Sequence, residues 1–337
     1  MKKLMKSLPL LLVASLSACN SQSKTFEKSL FAFGTVCNFS YTNYPNKKAE
    51  DSVQDFYNLL MTYDAMSDAT KNRELAGVYG LNRTNEKTKI DSRLYDLLLT
   101  AKQLGKSIPY FNPLVGSLSN KWKDALAKGE VLLDSVIEEE LDKINHTQLL
   151  LETVNGEYYA QRVGQAQIDL GAIAKGYALD RALELVRERG YTDHLFNLGS
   201  SSIMLGKSKA NKDGLYTVGV KELNEKAYLK LNNSFISTSG TSEQGVEIDG
   251  QMYSHIINPY TGEAINFYDE IIVISEEGSF NGALGDVLST SLMLSSLEEI
   301  KEAEKYHSVS IIAITGGEIY YKSDSITLYN ANGQEIS

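Results

Sequence analysis

The chain has 337 residues, 43 acidic against 33 basic side chains, a net charge of −10 at pH 7 and only two cysteines, Cys19 and Cys37. That length is ample for a core of its own, and the acidity argues against nucleic acid as a partner, leaving any phosphate-bearing ligand to be gripped by a metal or by local amides. Only Cys37 falls in the folded part on this reading, so no disulfide and no thiolate zinc site is expected there.

The first 19 residues, MKKLMKSLPLLLVASLSAC, put lysines ahead of a short apolar run and small residues after it. That pattern predicts a secretory signal peptide over residues 1–18, too short and wrongly flanked to span a membrane. Its end, Leu16-Ser17-Ala18-Cys19, resembles the bacterial lipobox, which makes Cys19 a lipidated mature N-terminus. Residues 19–29 read as a polar lipidated tether and residues 30–337 as one folded domain.

Within that domain, alternation over 30–44 predicts a strand, and apolar residues at helical spacing predict helices over 47–66 and 92–105. A further helix is expected over 113–126, with Asn112-Pro113 as its N-cap and first-turn pair. Short strands over 147–170 lead into a helix over 173–189, after which strands dominate: 194–198, 215–221, 226–231 and 234–238. Asp249-Gly250 marks a type I′ hairpin turn. A strand over 271–275, a helix over 281–295 and a hairpin across Gly316-Gly317 follow. No internal repeat or long linker divides the chain, so the fold class is α+β, an antiparallel sheet core with surrounding helices and a helical subregion near 47–145.

Three stretches carry chemistry. In QIDLGAIAKGYALD, Asp169, Ala172 and Lys175 flank a glycine-rich turn at a helix start, where free amides and the helix dipole suit an anion. The spacing is neither that of a Walker loop nor that of a Rossmann loop. A plainer reading makes Asp169 a helix cap and leaves Lys175 in solvent. In NGALGDVLSTSLML, Asp286 and Thr290 stand one above the other on a helix face, two oxygen groups fit for Mg²⁺; alternatively Thr290 bonds back to the Asp286 carbonyl. In YSHIINPYTG, His255 is expected on the second strand of a hairpin, as a proton-transfer or phosphate-contacting group or as a structural histidine. The loops FGTVCNF, YFNPLVGSLSNKW and ISTSGTSEQ read individually as turns.

Taken in order, FGT, FNPLVGSL-NKW, IDLGAIAKGYALD, NLGSS, STSG, EIDG-YSHIINP-TG and ALGDVLSTSL, running over about residues 31–295, resemble the ApbE family of FAD:protein FMN transferases. The resemblance implies an enzyme that binds FAD with Mg²⁺ and joins its FMN half to a Thr or Ser of an exported acceptor protein through a phosphoester, releasing AMP. It implies Mg²⁺ held by Ala172 (backbone oxygen), Asp286 and Thr290. The nucleotide contacts it implies are Phe33, Tyr110, Phe111, Asn112, Asp169, Lys175 and His255, with His255 and Asp286 as the catalytic pair. The chain departs from the common pattern at Phe33, Ala69, Asn112 and Tyr260, which bear on the flavin and adenine contacts rather than on the metal set. Two other readings remain: an FAD pyrophosphatase giving FMN and AMP, and a non-catalytic FAD-binding lipoprotein. Lipidation at Cys19 would hold any of these on the extracytoplasmic face of a cell membrane.

Overall fold

A computed structural model describes residues 25–42, 47–73, 76–241, 245–278 and 281–336. The signal peptide and Cys19 lie outside the described residues. The chain starts with a hairpin, β1 (Thr25–Ala32) and β2 (Thr35–Thr42), then α1 (Lys47–Ser67), the short α2 (Val78–Leu81), β3 (Thr88–Ile90) and α3 (Ser92–Ser107). Next come α4 (Gly116–Leu126), α5 (Asp134–Asn145), the hairpin β4 (Gln148–Val154) and β5 (Glu157–Val163), and α6 (Ala174–Glu188). A strand-rich stretch holds β6 (Asp193–Leu198), β7 (Ser202–Leu205), β8 (Tyr216–Val220), β9 (Ala227–Leu231), β10 (Ser234–Gly240), β11 (Val246–Ile248), β12 (Gln251–Tyr253) and β13 (Glu270–Glu276). The end is formed by α7 (Asn281–Leu292), α8 (Leu297–His307), β14 (Ser310–Thr315), β15 (Glu318–Lys322), β16 (Leu328–Asn330) and β17 (Glu335–Ile336).

The frame is an eight-stranded antiparallel sheet ordered β1-β2-β6-β7-β10-β13-β14-β15. Alternation splits its apolar residues between two cores. Phe196, Met204, Phe235, Ile271, Val273 and Ile311 point into the larger core, under helices α1, α6 and α7. Their sequence neighbours Ile203, Ile236, Ile272, Ile274 and Ile312 point the other way, onto a four-stranded sheet ordered β17-β16-β9-β8. Burial on both faces explains why β13 and β14 read as nearly continuous apolar runs, EIIVISE and SIIAIT. A third, smaller core holds α4 and α5 against the segment after β12 through Trp122, Ile137 and Ile257. Cys37 is buried in β2, where burial pushes its thiol up to about 11 and its sulfur donates to the Ala32 carbonyl.

Several boundaries differ from expectation. Strand β1 begins at Thr25, inside the stretch read as tether, because its backbone pairs with β2 as far as Thr42 and Phe26 stacks on Tyr41 at 5.6 Å between centroids. Helix α4 starts at Gly116, not 113. Asn112 Oδ1 accepts from the Leu114 amide in a turn ahead of the helix, and Val115 occupies the cap position. The Gly116 amide donates to Gln167 O at 2.8 Å and the Asp169 amide to Pro113 O at 2.9 Å, so the 112–116 turn is tied to the 167–169 segment. Helix α7 ends at Leu292 rather than 295. His255 lies two residues beyond β12, in a loop rather than on a strand. The turns at Asp249-Gly250 and Gly316-Gly317 are as expected, each with positive φ at both residues.

Candidate active site

The site is built from where α6 and α7 begin. The two helices meet backbone to backbone at Gly176 and Gly282: a Cβ on Gly176 would lie 2.0 Å from Gly282 O and 2.9 Å from Asp286 Cγ. Asp180 on α6 accepts from the Gly282 and Ala283 amides at 2.8 and 2.9 Å, supplying the cap that the start of α7 needs. Burial raises Asp180 to about 7, although those two amides pull it down. In the opposite direction, Asp286 on α7 accepts from the Gly176 amide at 2.7 Å. The helices are thus clamped by a carboxylate from each onto the other's backbone.

Asp286 is the buried centre of the site. Its second oxygen accepts from the hydroxyls of Ser202 (β7) and Ser237 (β10), both at 2.8 Å. Burial raises its pKa, opposed first by the positive charge of Lys175 and then by the two serines and the Gly176 amide. A carboxylate offers about four lone-pair positions, and three are taken by these donors. Thr290 does donate to the Asp286 carbonyl, at 3.1 Å, as the plainer reading had it, and its hydroxyl also sits 3.1 Å from Ser239 Oγ. Lys175 donates to Ser201 Oγ rather than standing free in solvent. Asp169 is not a helix cap: its Oδ1 accepts from the Gly171 amide at 2.8 Å, shaping the turn, while Ile173 holds the cap position of α6.

The other end of the site is made of loops. Phe33 lies in the left-handed region at φ 53°, its amide donating to Asp64 Oδ1 at 2.7 Å, and Asp64 is paired with Arg73 at 3.2 Å. Tyr110 is also left-handed, at φ 58°. It donates to Glu299 at 3.1 Å, and its ring meets Tyr260 edge-on at 5.7 Å. Bulky residues adopt that conformation only when their surroundings impose it, and such strain gathers at functional sites. Trp122 donates to Gly262 O at 2.7 Å and so fixes the turn that carries Tyr260 to α4. His255 is set in its loop by Ser254, whose amide donates to Ala264 O and whose Oγ accepts from the Ile256 amide.

One cavity of about 680 Å³ brings these residues together. Phe33, Tyr110, Phe111, Asn112, Asp169, Ala172, Lys175, His255, Asp286 and Thr290 all line it. Sequence reasoning missed Ser201, Ser202, Ser237 and Ser239, which surround Asp286, Thr290 and Lys175, and also Asp64, Arg73 and Asp180. The only available signal for the serines was the runs NLGSSS and STS, since a serine in a strand has no pattern of its own. Among the described residues no group of three or more His, Cys, Asp or Glu side chains could hold a metal. A single carboxylate with a hydroxyl and a backbone oxygen is a different kind of set, made wholly of hard oxygens. It fits a Mg²⁺ that takes few ligands from the protein and the rest from phosphate and water.

An α+β frame with a cavity that is aromatic at one end and built around a buried acid, a lysine and a helix start at the other suits an anionic ligand with ring-shaped parts. The sequence profile of the ApbE family matches residues 33–313, and the chain belongs to that family. It is similar to the FAD:protein FMN transferase of Treponema pallidum, 24% identical over 270 residues that cover 74% of this chain and 75% of the relative. It is likewise similar to that of Vibrio cholerae, 24% identical over 325 residues covering 92% and 94%. Among solved structures, the ApbE protein of Thermotoga maritima superposes with a TM-score of 0.75 at 22% identity, covering 90% of this chain and 98% of that one. The flavin transferase ApbE of Vibrio cholerae gives 0.70 at 21% identity with the same coverage. These structures share the fold.

Proposed function

We propose that the protein transfers FMN from FAD to a Thr or Ser hydroxyl of an exported acceptor protein. The acceptor oxygen forms a bond to the FMN phosphorus, the pyrophosphate P–O bond breaks, and AMP leaves with the bridging oxygen. The observation that carries this reading is the convergence of the ten residues on one cavity, supported by family membership and by the names of the relatives.

Asp286, Thr290 and the Ala172 backbone oxygen would hold Mg²⁺, which when bound supplies positive charge to the pyrophosphate oxygens. Lys175 and the amides at the start of α6 orient the phosphates. Phe33, Tyr110, Phe111 and Asn112 hold the ring systems, and Asp169 shapes the turn between them and the phosphates. His255 takes the proton of the acceptor hydroxyl or stabilises the charge that develops there. The buried serines around Asp286 keep the carboxylate in one orientation before any cation arrives. On this reading Cys19 carries a lipid anchor that keeps the enzyme on the extracytoplasmic face of a cell membrane. No helix of the described residues is long and apolar enough to cross a membrane.

The test is a mass spectrum of a peptide bearing Asp-x-x-Ser-Gly-Ala-Thr after incubation with the protein, FAD and Mg²⁺. A metal-dependent gain of one FMN less one water, lost with Asp286→Ala, is the expected result. AMP and free FMN without a peptide adduct would replace transfer by hydrolysis, and intact FAD throughout would leave only binding. Mass analysis of the mature N-terminus decides lipidation at Cys19.

A further inference from the structure

The hairpin of β1 and β2 has a cavity end and an entry end. At the first, its turn Phe33-Gly34 lines the cavity, as do Asn197, Gly199 and Ser200 at the matching end of β6. At the second, Thr25 pairs with Thr42, and Thr42 with Asp193, the first residue of β6. Thr25 and Ala32 are separated by the length of β1, about 23 Å at ~3.3 Å per residue. The chain therefore enters the fold at the opposite end of this strand from the cavity.

The loop between β7 and β8 closes over the same entry end. The Lys207 amide donates to Thr192 O at 2.7 Å and the Lys209 amide to an Asp193 carboxylate oxygen at 3.1 Å. That puts the loop two strand spacings, about 10 Å, from Thr25. Bonds of its own hold it shut: the Ser208 amide donates to Gly214 O and the Gly214 amide to Asn211 O, both at 3.0 Å, and the Asn211 side chain to Leu215 O at 2.6 Å. Lys207, Lys209 and Lys212 stand exposed on it, in a chain whose net charge is −10. The carboxylates around them are engaged. Asp193 also accepts from the Tyr216 hydroxyl, Glu277 meets His194 at 2.9 Å, and Asp213 accepts from the Leu215 amide at 3.1 Å and from Lys230 at 3.5 Å. Lys47-Lys48 and Glu50-Asp51, at the start of α1, cancel in charge. The loop thus presents a positive patch beside the point of entry.

We propose that this end of the domain is its membrane-contacting face, with Lys207, Lys209 and Lys212 on anionic lipid headgroups and the cavity opening away from the bilayer. The inference rests on the lipidation reading. Cys19 and Thr25 are six positions apart, a stretch that covers at most about 22 Å. A lipid on Cys19 therefore holds the Thr25 end of the sheet close to the bilayer. So short a tether still leaves the domain free to lie on its side or to stand, and lysines beside an anionic surface favour the arrangement that brings them to it. With β1 standing on its entry end, the cavity lies a strand length farther from the lipid. The hydroxyl it receives then belongs to a part of the acceptor that stands clear of the bilayer.

Fluorescence quenching tests the orientation. The mature lipidated protein, carrying Ala210→Cys or Lys71→Cys labelled with a thiol-reactive dye, is placed in vesicles of equal parts phosphatidylglycerol and phosphatidylcholine that hold a lipid with a quencher on its headgroup. Cys37 is buried, which leaves the dye to the introduced thiol. The dye at position 210, in the lysine loop, should be quenched about threefold or more strongly than the dye at position 71, which lines the cavity. Joint substitution Lys207→Glu, Lys209→Glu and Lys212→Glu should bring the two together. Equal quenching at the two positions, stronger quenching at position 71, or a difference that the triple substitution leaves intact would each overturn the proposal. The mass of the mature N-terminus separates the two readings. A lipid-free Cys19 would overturn lipidation and the orientation with it, whereas a lipidated protein with evenly quenched dyes would overturn the orientation alone.

Discussion

The two ends of the cavity are made in opposite ways. Around Asp286 every contact comes from regular structure: two helix starts touching at glycine backbones, and serines from the middle of a sheet. Phe33 and Tyr110 themselves sit in turns, both bent into the left-handed region, each tied to a helix by a single bond, to Asp64 of α1 and Glu299 of α8, and Tyr260 beside them is largely exposed. A group fixed by packed elements cannot shift without disturbing the core, whereas a group fixed by a turn can be exchanged along with the turn. The departures from the common family pattern, at Phe33, Ala69, Asn112 and Tyr260, all fall in cavity loops or turns away from Asp286.

Substitution can break that contrast. The largest effect is expected from Asp286→Ala, which should lower FMN transfer more than about a hundredfold, measured as adduct formed per unit time, since it removes the one carboxylate of the oxygen set. Gly176→Ala should come next. Its Cβ would meet the Gly282 carbonyl, and overpacking of that kind costs about 3 kcal/mol, read from the denaturant midpoint. A loss as small as that of an exposed helix substitution would mean that the helix contact is looser than described.

A third prediction follows from Asp180. Its carboxyl is raised from 3.8 in the unfolded chain to about 7 in the fold, so the fold retains a proton that the unfolded chain has already lost between those values. The stability this group contributes is present below 3.8 and is lost as the pH rises through about 7. Melting temperatures measured from pH 4 to pH 8 should fall along this interval, and Asp180→Asn should flatten the slope. At the loop end, Phe33→Asn keeps a residue tolerant of positive φ. It should weaken FAD binding several-fold while changing stability by less than about 1 kcal/mol. A large loss of stability there would erase the difference between the two ends.

Much of this was legible from the chain. Helical spacing located α1 and α3 through one buried stripe each and α6 through Leu179, Ala182, Leu183 and Val186, although α6 is buried on nearly every side over residues 176–180; Asp249-Gly250 located its hairpin because few other pairs accept two positive φ values. The α+β class followed from those elements, and the ten residues nominated for the nucleotide and the metal line one cavity, while Cys19 lies outside the described residues. Other parts left weaker marks. Helix α8 was passed over although Ser296 and Glu299 form a capping box ahead of it. Strands β16 and β17 are two or three residues long, below the length at which alternation is visible. The start of α4 was misplaced because Asn112-Pro113 imitates a helix start, while the actual start depends on a bond from Gly116 to Gln167, 51 positions away in sequence. The serines about Asp286 and the clamp from Asp180 to Gly282 are likewise contacts between distant segments, which one sequence does not record.

The contact between Gly176 and Gly282 also bears on heat. With the two backbones touching at these glycines and a carboxylate from each helix bonded to the other, the acid centre has nothing soft through which it could loosen ahead of the rest. Thermal inactivation arising at Asp286 should therefore coincide with global melting, whereas the grip on the flavin ring, held by strained turns, should fade at lower temperature. A warm sample would then turn over more slowly through a rising KM for FAD well before its circular dichroism changes.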